Sequence, residues 1–155
     1  SKQLKVDNGS AKDYIDKYFL RYEGIKEFMD KLKVEAKKNG YVSTTLGRRI
    51  YVPNITHNNF QIRSAAERTA INAPIQGTAA DILKIAMINI DKWIHDSDCP
   101  AQMIMQVHDE LVFEVEDTFV NEASLKINEL MASCYKLAVP LIVDVGIGNN
   151  WDKAH

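Results

Sequence analysis

Cysteine is scarce: Cys99 and Cys134 are the only two in 155 residues. One bridge cannot staple a chain of this length, so a reducing cytoplasm fits better than secretion. The two glycosylation patterns, Asn8-Gly9-Ser10 and Asn54-Ile55-Thr56, then read as chance. Long apolar runs are also missing; none approaches the ~18 residues a membrane helix needs, and the polar start SKQLKVDNGS does not read as a signal peptide. No repeat, low-complexity segment or flexible linker is visible. What remains is 46% hydrophobic and 26% charged. That composition can bury a core and excludes a disordered tail.

The net charge of −2 argues at face value against a nucleic-acid binder. The average hides an uneven distribution. Residues 1–95 carry 16 Lys and Arg against 10 Asp and Glu, a net of +6, while residues 96–155 carry 3 against 11, a net of −8. A basic stretch followed by an acidic one suits a protein that grips a polyanion in one place and a metal cation in another. Ordinary surface charge would look the same.

Ser10, with Asp13 three residues on, reads as a helix start. Apolar residues then recur at Ile15, Tyr18, Tyr22, Ile25, Met29, Leu32 and Ala36, an amphipathic stripe interrupted at Gly24 and stopped by Asn39-Gly40. A short hairpin follows, Tyr41–Thr45 with Arg49–Val52, closed by Pro53. A long small-residue-rich helical region runs from about Gln61 to Ile94; Pro74 inside it predicts a kink or two abutting helices. The period then switches to two, giving strands through Met103, Met105 and Val107 and through Leu111, Phe113 and Val115. A helix near Thr118–Leu137 and a last strand, Leu141–Val145, complete an α+β layout with an antiparallel sheet.

The sharpest chemical signal is MIMQVHDELVFEV. Tight hairpins favour Asn-Gly or Asp-Gly, so His108-Asp109-Glu110 between two strong strands is poor turn chemistry. Such a local conflict points toward function. Acids packed at a strand end repel one another unless a divalent cation offsets them. Asp109 is the natural ligand, with Glu110 beside it and His108 able to donate to a phosphate; a solvated polar turn remains the plain alternative. A second signal is Arg68, Asn72 and Gln76, four residues apart. In the minor groove every base pair offers acceptors, so these donors could check pairing without reading sequence. A polar outer helix face has the same pattern. Arg48, Arg49 and Arg63 could hold phosphates, which is weak support because exposed arginines are common.

Other patterns fail. GIGNNW follows the final expected strand with no helix to come, so it is no nucleotide fingerprint. The four histidines, His57, His95, His108 and His155, lack zinc-ligand spacing.

Taken together, ERTAINAPIQGTAADILKIAM, MIMQVHDELVFEV and PLIVDVGIGNNWDKAH closely resemble the C-terminal part of bacterial family A DNA polymerases. YFLRYEGIKEFMDKLKVEAKKNGYVSTTLGRRIYVP resembles the segment that precedes them. The resemblance covers essentially the whole chain. It implies an antiparallel palm sheet with packed helices, residues 61–155, preceded over residues 1–60 by the helices and hairpin that end the fingers. Asp109 would match a catalytic aspartate holding metal, Glu110 the adjacent acid and His108 the residue near the primer terminus. Arg68, Asn72 and Gln76 would match donors facing the primer–template minor groove, Arg63 a template-strand contact and His155 the usual final residue.

The reaction implied is attack of a primer 3′-hydroxyl on the α-phosphate of a deoxynucleoside triphosphate, with two Mg²⁺ ions in the complete enzyme. Primer–template DNA, the triphosphate and the rest of the polymerase would be the partners, in a bacterial cytoplasm near the nucleoid and with no membrane. The family's second catalytic aspartate, in a strand resembling DYSQIELR, and its triphosphate-gripping fingers helix are absent from the sequence, so Ser1 looks like a truncation, a split product or a cleavage point. Residues 1–155 alone are therefore expected not to polymerise. A stand-alone nucleic-acid-binding module, and a metal-dependent nuclease using Asp109, Glu110 and Asp144, are the alternatives.

Overall fold

The structure, a computed structural model, describes residues 7–154, leaving aside the Asn8 side chain. His155, expected to match the family's final residue, lies outside them. The chain divides into two compact units, one ending at Gly77 and one beginning at Thr78, each described by itself.

In the first unit, α1 spans Asn8–Arg21 and α2 Glu23–Asn39. The helix start differs from the sequence expectation. Asp7, not Ser10, is the cap: its carboxylate accepts from the backbone N–H of Gly9 at 2.8 Å and of Ser10 at 3.0 Å, and the Ser10 hydroxyl donates to it. A carboxylate there also faces the positive end of the helix dipole. The break between helices falls at Tyr22 rather than Gly24; Tyr22 leaves helical geometry while its N–H still bonds the Tyr18 carbonyl. Gly40 ends α2 with φ at +77°, a conformation that costs glycine nothing. Only the end of the apolar stripe is buried. Leu32 and Ala36 lie in the core, whereas Ile15, Tyr18, Tyr22 and Ile25 are exposed.

β1 (Tyr41–Ser43) pairs antiparallel with β2 (Arg49–Tyr51). Thr44 and Gly47 close the loop: Thr44 N–H donates to the Arg48 carbonyl, Gly47 N–H to the Thr44 carbonyl, and Gly47 has φ at +88°. This is a type I turn followed by a left-handed glycine, a standard three-residue hairpin loop. The buried Thr44 hydroxyl accepts from the Arg48 N–H at 3.1 Å, so its polarity is satisfied.

α3 then runs unbroken from Phe60 to Asp96, 37 residues with Pro74 inside. Of the two alternatives expected at Pro74, a kink or two abutting helices, the second does not occur, since the segment is one helix. Asn59 caps it, its side-chain oxygen accepting from Gln61 at 2.9 Å and Ile62 at 3.4 Å. The small residues do what their size permits. Ala66 and Ala70 join Leu32, Ala36, Val42, Val52 and Ile55 in one core, with Ile50 and Ala73 against it. Lys37 on α2 meets Glu67 on α3 at 2.8 Å, and that ammonium holds the Glu67 carboxyl below its ordinary range. Around Gly77 the hairpin comes closer still. A Cβ there would lie 2.7 Å from both the Ile50 and the Thr44 methyl carbons, and the Arg48 guanidinium donates to the Gly77 carbonyl at 2.9 Å.

In the second unit, β3 (Ala101–Val107) pairs antiparallel with β4 (Glu110–Val115). A 3₁₀ turn, Asp117–Phe119, leads into α4, Val120–Ser133, shorter than the helix expected to reach Leu137. Ile90, Ala123 and Ile127 are the buried centre, covered by Trp93, Ile94, Met103, Leu111, Phe113, Val115 and Phe119 among others. The Cys134 thiol lies against the Ile82 carbonyl at 3.7 Å and burial raises its pKa, as burial also raises that of Cys99. Both thus behave as packed, protonated thiols.

Leu141–Val145, expected as a strand, joins no ladder among the described residues. A strand requires a neighbouring edge; here a side chain meets the segment instead, the Asn128 amide donating to the Val143 carbonyl at 2.8 Å. Among the described residues the strands form two two-stranded antiparallel sheets, β1–β2 and β3–β4. A four-residue helix, α5, Trp151–Ala154, follows. No helix among the described residues is long and apolar enough to cross a membrane.

The tight seat at Gly77 gives a first prediction. Gly77→Val should lower stability by about 1–3 kcal/mol, the usual cost of overpacking, whereas Ala80→Val on the exposed face should change it little. Urea unfolding of the two variants distinguishes them.

Candidate functional site

The hairpin β3–β4 turns on two residues, not three. Val107 pairs with Glu110, so Glu110 opens β4 and only His108 and Asp109 form the turn. A two-residue connection needs positive φ at its first central position or at both. His108 supplies it without being glycine, with φ at +53°. Histidine tolerates this region better than most side chains, yet the conformation still carries a cost and concentrates at functional sites. The Gln106 side chain props the turn from the strand before it, its amide donating to the His108 carbonyl at 3.2 Å.

A register shift between Met103 and Met105 corrects the alternation read from the sequence. Met103 opposes Phe113, but Met105 opposes Val112, so Ile104 is the extra residue of a bulge. One inserted residue reverses the side of everything beyond it. Met103 therefore packs in the core, while Met105 is exposed, and Gln106 stands opposite Leu111 and is itself exposed. The support Gln106 gives the turn was not legible in the sequence for this reason: its face depends on a bulge that nothing in MIMQV announces.

Asp109 and His108 are exposed at the apex and Glu110 is half-buried. A carboxylate so placed can offer oxygens to a hard divalent cation. It cannot build a centre alone. Among the described residues no three His, Cys, Asp or Glu side chains are grouped so as to hold a metal, so Asp144 does not converge with Asp109 and Glu110 as a nuclease centre would require.

The expected DNA contacts fall into two kinds. Arg68, Asn72 and Gln76 all lie exposed along one unbroken helix, and their side chains make no hydrogen bond or ion pair among the described residues. Pro74 is itself buried and does not split the helix between them. The other arginines are occupied by the fold. Arg63 donates to the His57 carbonyl at 2.8 Å and the Asn58 carbonyl at 3.3 Å, Arg48 to Gly77, and the Arg49 guanidinium lies 4.8 Å from the centre of the Tyr41 ring.

The sequence pattern of DNA polymerase family A matches residues 1–153. The chain belongs to that family. DNA polymerase I of Pseudomonas aeruginosa is 48% identical over all 155 residues, and that of Mycobacterium tuberculosis 44% identical over 99% of the chain. This family A chain spans 17% of the length of each. Among solved structures, the POL domain of Pol1 from M. smegmatis, in complex with DNA primer-template and dNTP, matches 99% of the chain at 46% identity with a TM-score of 0.94, the match covering 27% of that protein. Polymerases of this family depend on metal ions.

If the fold holds His108 left-handed, substitutions there should separate by backbone tolerance. His108→Gly should leave stability unchanged or higher, while His108→Val should cost about 1–2 kcal/mol, because a β-branched residue fits that region poorly. Denaturant midpoints at constant slope report the difference.

Proposed function

We propose that this chain serves template-directed DNA synthesis, adding deoxynucleotides to a primer 3′ end, as part of a DNA polymerase. The observation that carries the reading is the turn: a non-glycine residue held left-handed between two paired strands, presenting an exposed aspartate. Likeness to a polymerase solved with primer-template and dNTP supports it.

In this reading residues 1–60 end the fingers and 61–155 belong to the palm. Asp109 is a ligand of catalytic Mg²⁺, Glu110 the acid beside it, and His108 lies near the primer terminus. Two such ions, when bound, stabilise the attacking and leaving oxygens of an in-line displacement. What the chain's own residues do is narrower: Asp109 holds an oxygen toward the metal, and the turn fixes where that oxygen points. The remaining ligands, the grip on the triphosphate and the rest of the polymerase come from outside these 155 residues.

Arg68, Asn72 and Gln76 donate to purine N3 and pyrimidine O2 atoms in the minor groove of primer–template DNA. That contact checks pairing geometry and is blind to sequence. Arg63, Arg48 and Arg49 contribute positive charge toward phosphates, although the first two spend donors on backbone carbonyls. A bacterial cytoplasm, at the nucleoid, is the setting that such a substrate implies.

The test uses a chimera in which this chain replaces the matching 17% of P. aeruginosa DNA polymerase I. Asp109→Ala in the chimera should cut primer extension by more than the ~10–100-fold typical of losing an outer-shell partner, with primer–template affinity nearly unchanged. Equal loss of binding and rate would contradict the metal role. Residues 1–155 alone should give no extended primer.

A further inference from the structure

Apart from the charge of Arg49, the outward face of hairpin β1–β2 has no part in the reading above. Val42 and Ile50 point into the core, so their neighbours Tyr41, Ser43, Arg49 and Tyr51 share the other face. Tyr41 and Tyr51 are direct cross-strand partners, with ring centres 5.8 Å apart at 66°. The Arg49 guanidinium lies 4.8 Å from the Tyr41 ring centre, while Tyr51 keeps 70% of its surface exposed. Tyr51 thus leaves a ring face open to a flat partner.

We propose that Tyr51, with Tyr41 and Arg49, is a stacking platform for unpaired bases of single-stranded DNA. Charge selects this occupant. From Lys37 to Ala66 the sequence holds Lys37, Lys38, Arg48, Arg49 and Arg63 and no Asp or Glu. Lys37 in this stretch is paired with Glu67, but Arg49 stays exposed beside the rings, and aromatic rings with such a cation take bases on their faces and a phosphate on the cation, without preference for sequence because every base has a π-face. An apolar protein surface would gain nothing from those cations. Arg49 serves twice, since stacking on Tyr41 fixes its plane and leaves its edge free for a phosphate. The proposal rests on the polymerase reading only in taking DNA as the ligand, and it assigns the bases to a segment that is not yet, or no longer, paired.

The experiment measures binding of the 155-residue chain to a fluorescent oligothymidylate and to an abasic oligomer with the same number of phosphates. Stacking predicts tighter binding to oligothymidylate by roughly fivefold or more. Tyr51→Ala should erase that preference and Tyr51→Phe should retain it, with the circular dichroism of both unchanged. Primer extension by the chimera reads the polymerase role separately, so a failed polymerase reading and a failed platform give different results. Equal affinity for the two oligomers, or a preference that survives Tyr51→Ala, would overturn the proposal.

Discussion

In the first unit the hairpin and α3 meet where α3 has no side chain. At Gly77 the methyl groups of Ile50 and Thr44 occupy the space a Cβ would fill, and Arg48 bonds the carbonyl exposed there. Much else follows from this close approach. It requires small residues upstream on the same helix, so Ala66 and Ala70 can bury against Val42 and Val52. By holding Val42 and Ile50 inward it fixes which side chains of the hairpin face out, because strand side chains alternate. It also engages the hairpin's tip arginine, whose guanidinium donates to the Gly77 carbonyl.

A comparable constraint acts on β3–β4 at a different scale. A two-residue turn with His108 left-handed leaves the following residue at the apex, and that residue is Asp109. The bulge at Ile104 brings Gln106 round to support the His108 carbonyl. Strain, support and an exposed carboxylate thus fall within five residues. That concentration is what distinguishes the turn from an ordinary solvated one, where Asn-Gly would serve without cost.

Much of this was legible in the sequence. Periodicity found α2, α3 and both hairpins, and Gly40 stopped α2 where expected, because these features depend on local pattern and backbone sterics. Arg68, Asn72 and Gln76 were legible as one exposed face, since helical spacing alone decides that. The misses have nonlocal or competing causes. Asp7 outcompeted Ser10 as a cap because a carboxylate can accept two N–H groups at once. Pro74 did not divide α3, the helix continuing through it with Pro74 buried. Leu141–Val145 has strand composition and no edge to pair with among the described residues. The turn's true length depended on a register that a bulge had shifted, and a bulge has no sequence signature in MIMQV. The family membership, by contrast, came from motif residues and not from periodicity.

The central claim is that the Asp109 carboxylate meets the metal directly. Replacing its hard oxygen with a soft sulfur tests this most directly, since Mg²⁺ takes oxygen ligands while softer divalent ions accept thiolate. In the chimeric polymerase, Asp109→Cys should lose primer extension in Mg²⁺ and regain part of it when Mn²⁺ or Cd²⁺ is added. Undiminished extension by Asp109→Cys in Mg²⁺ would contradict the account.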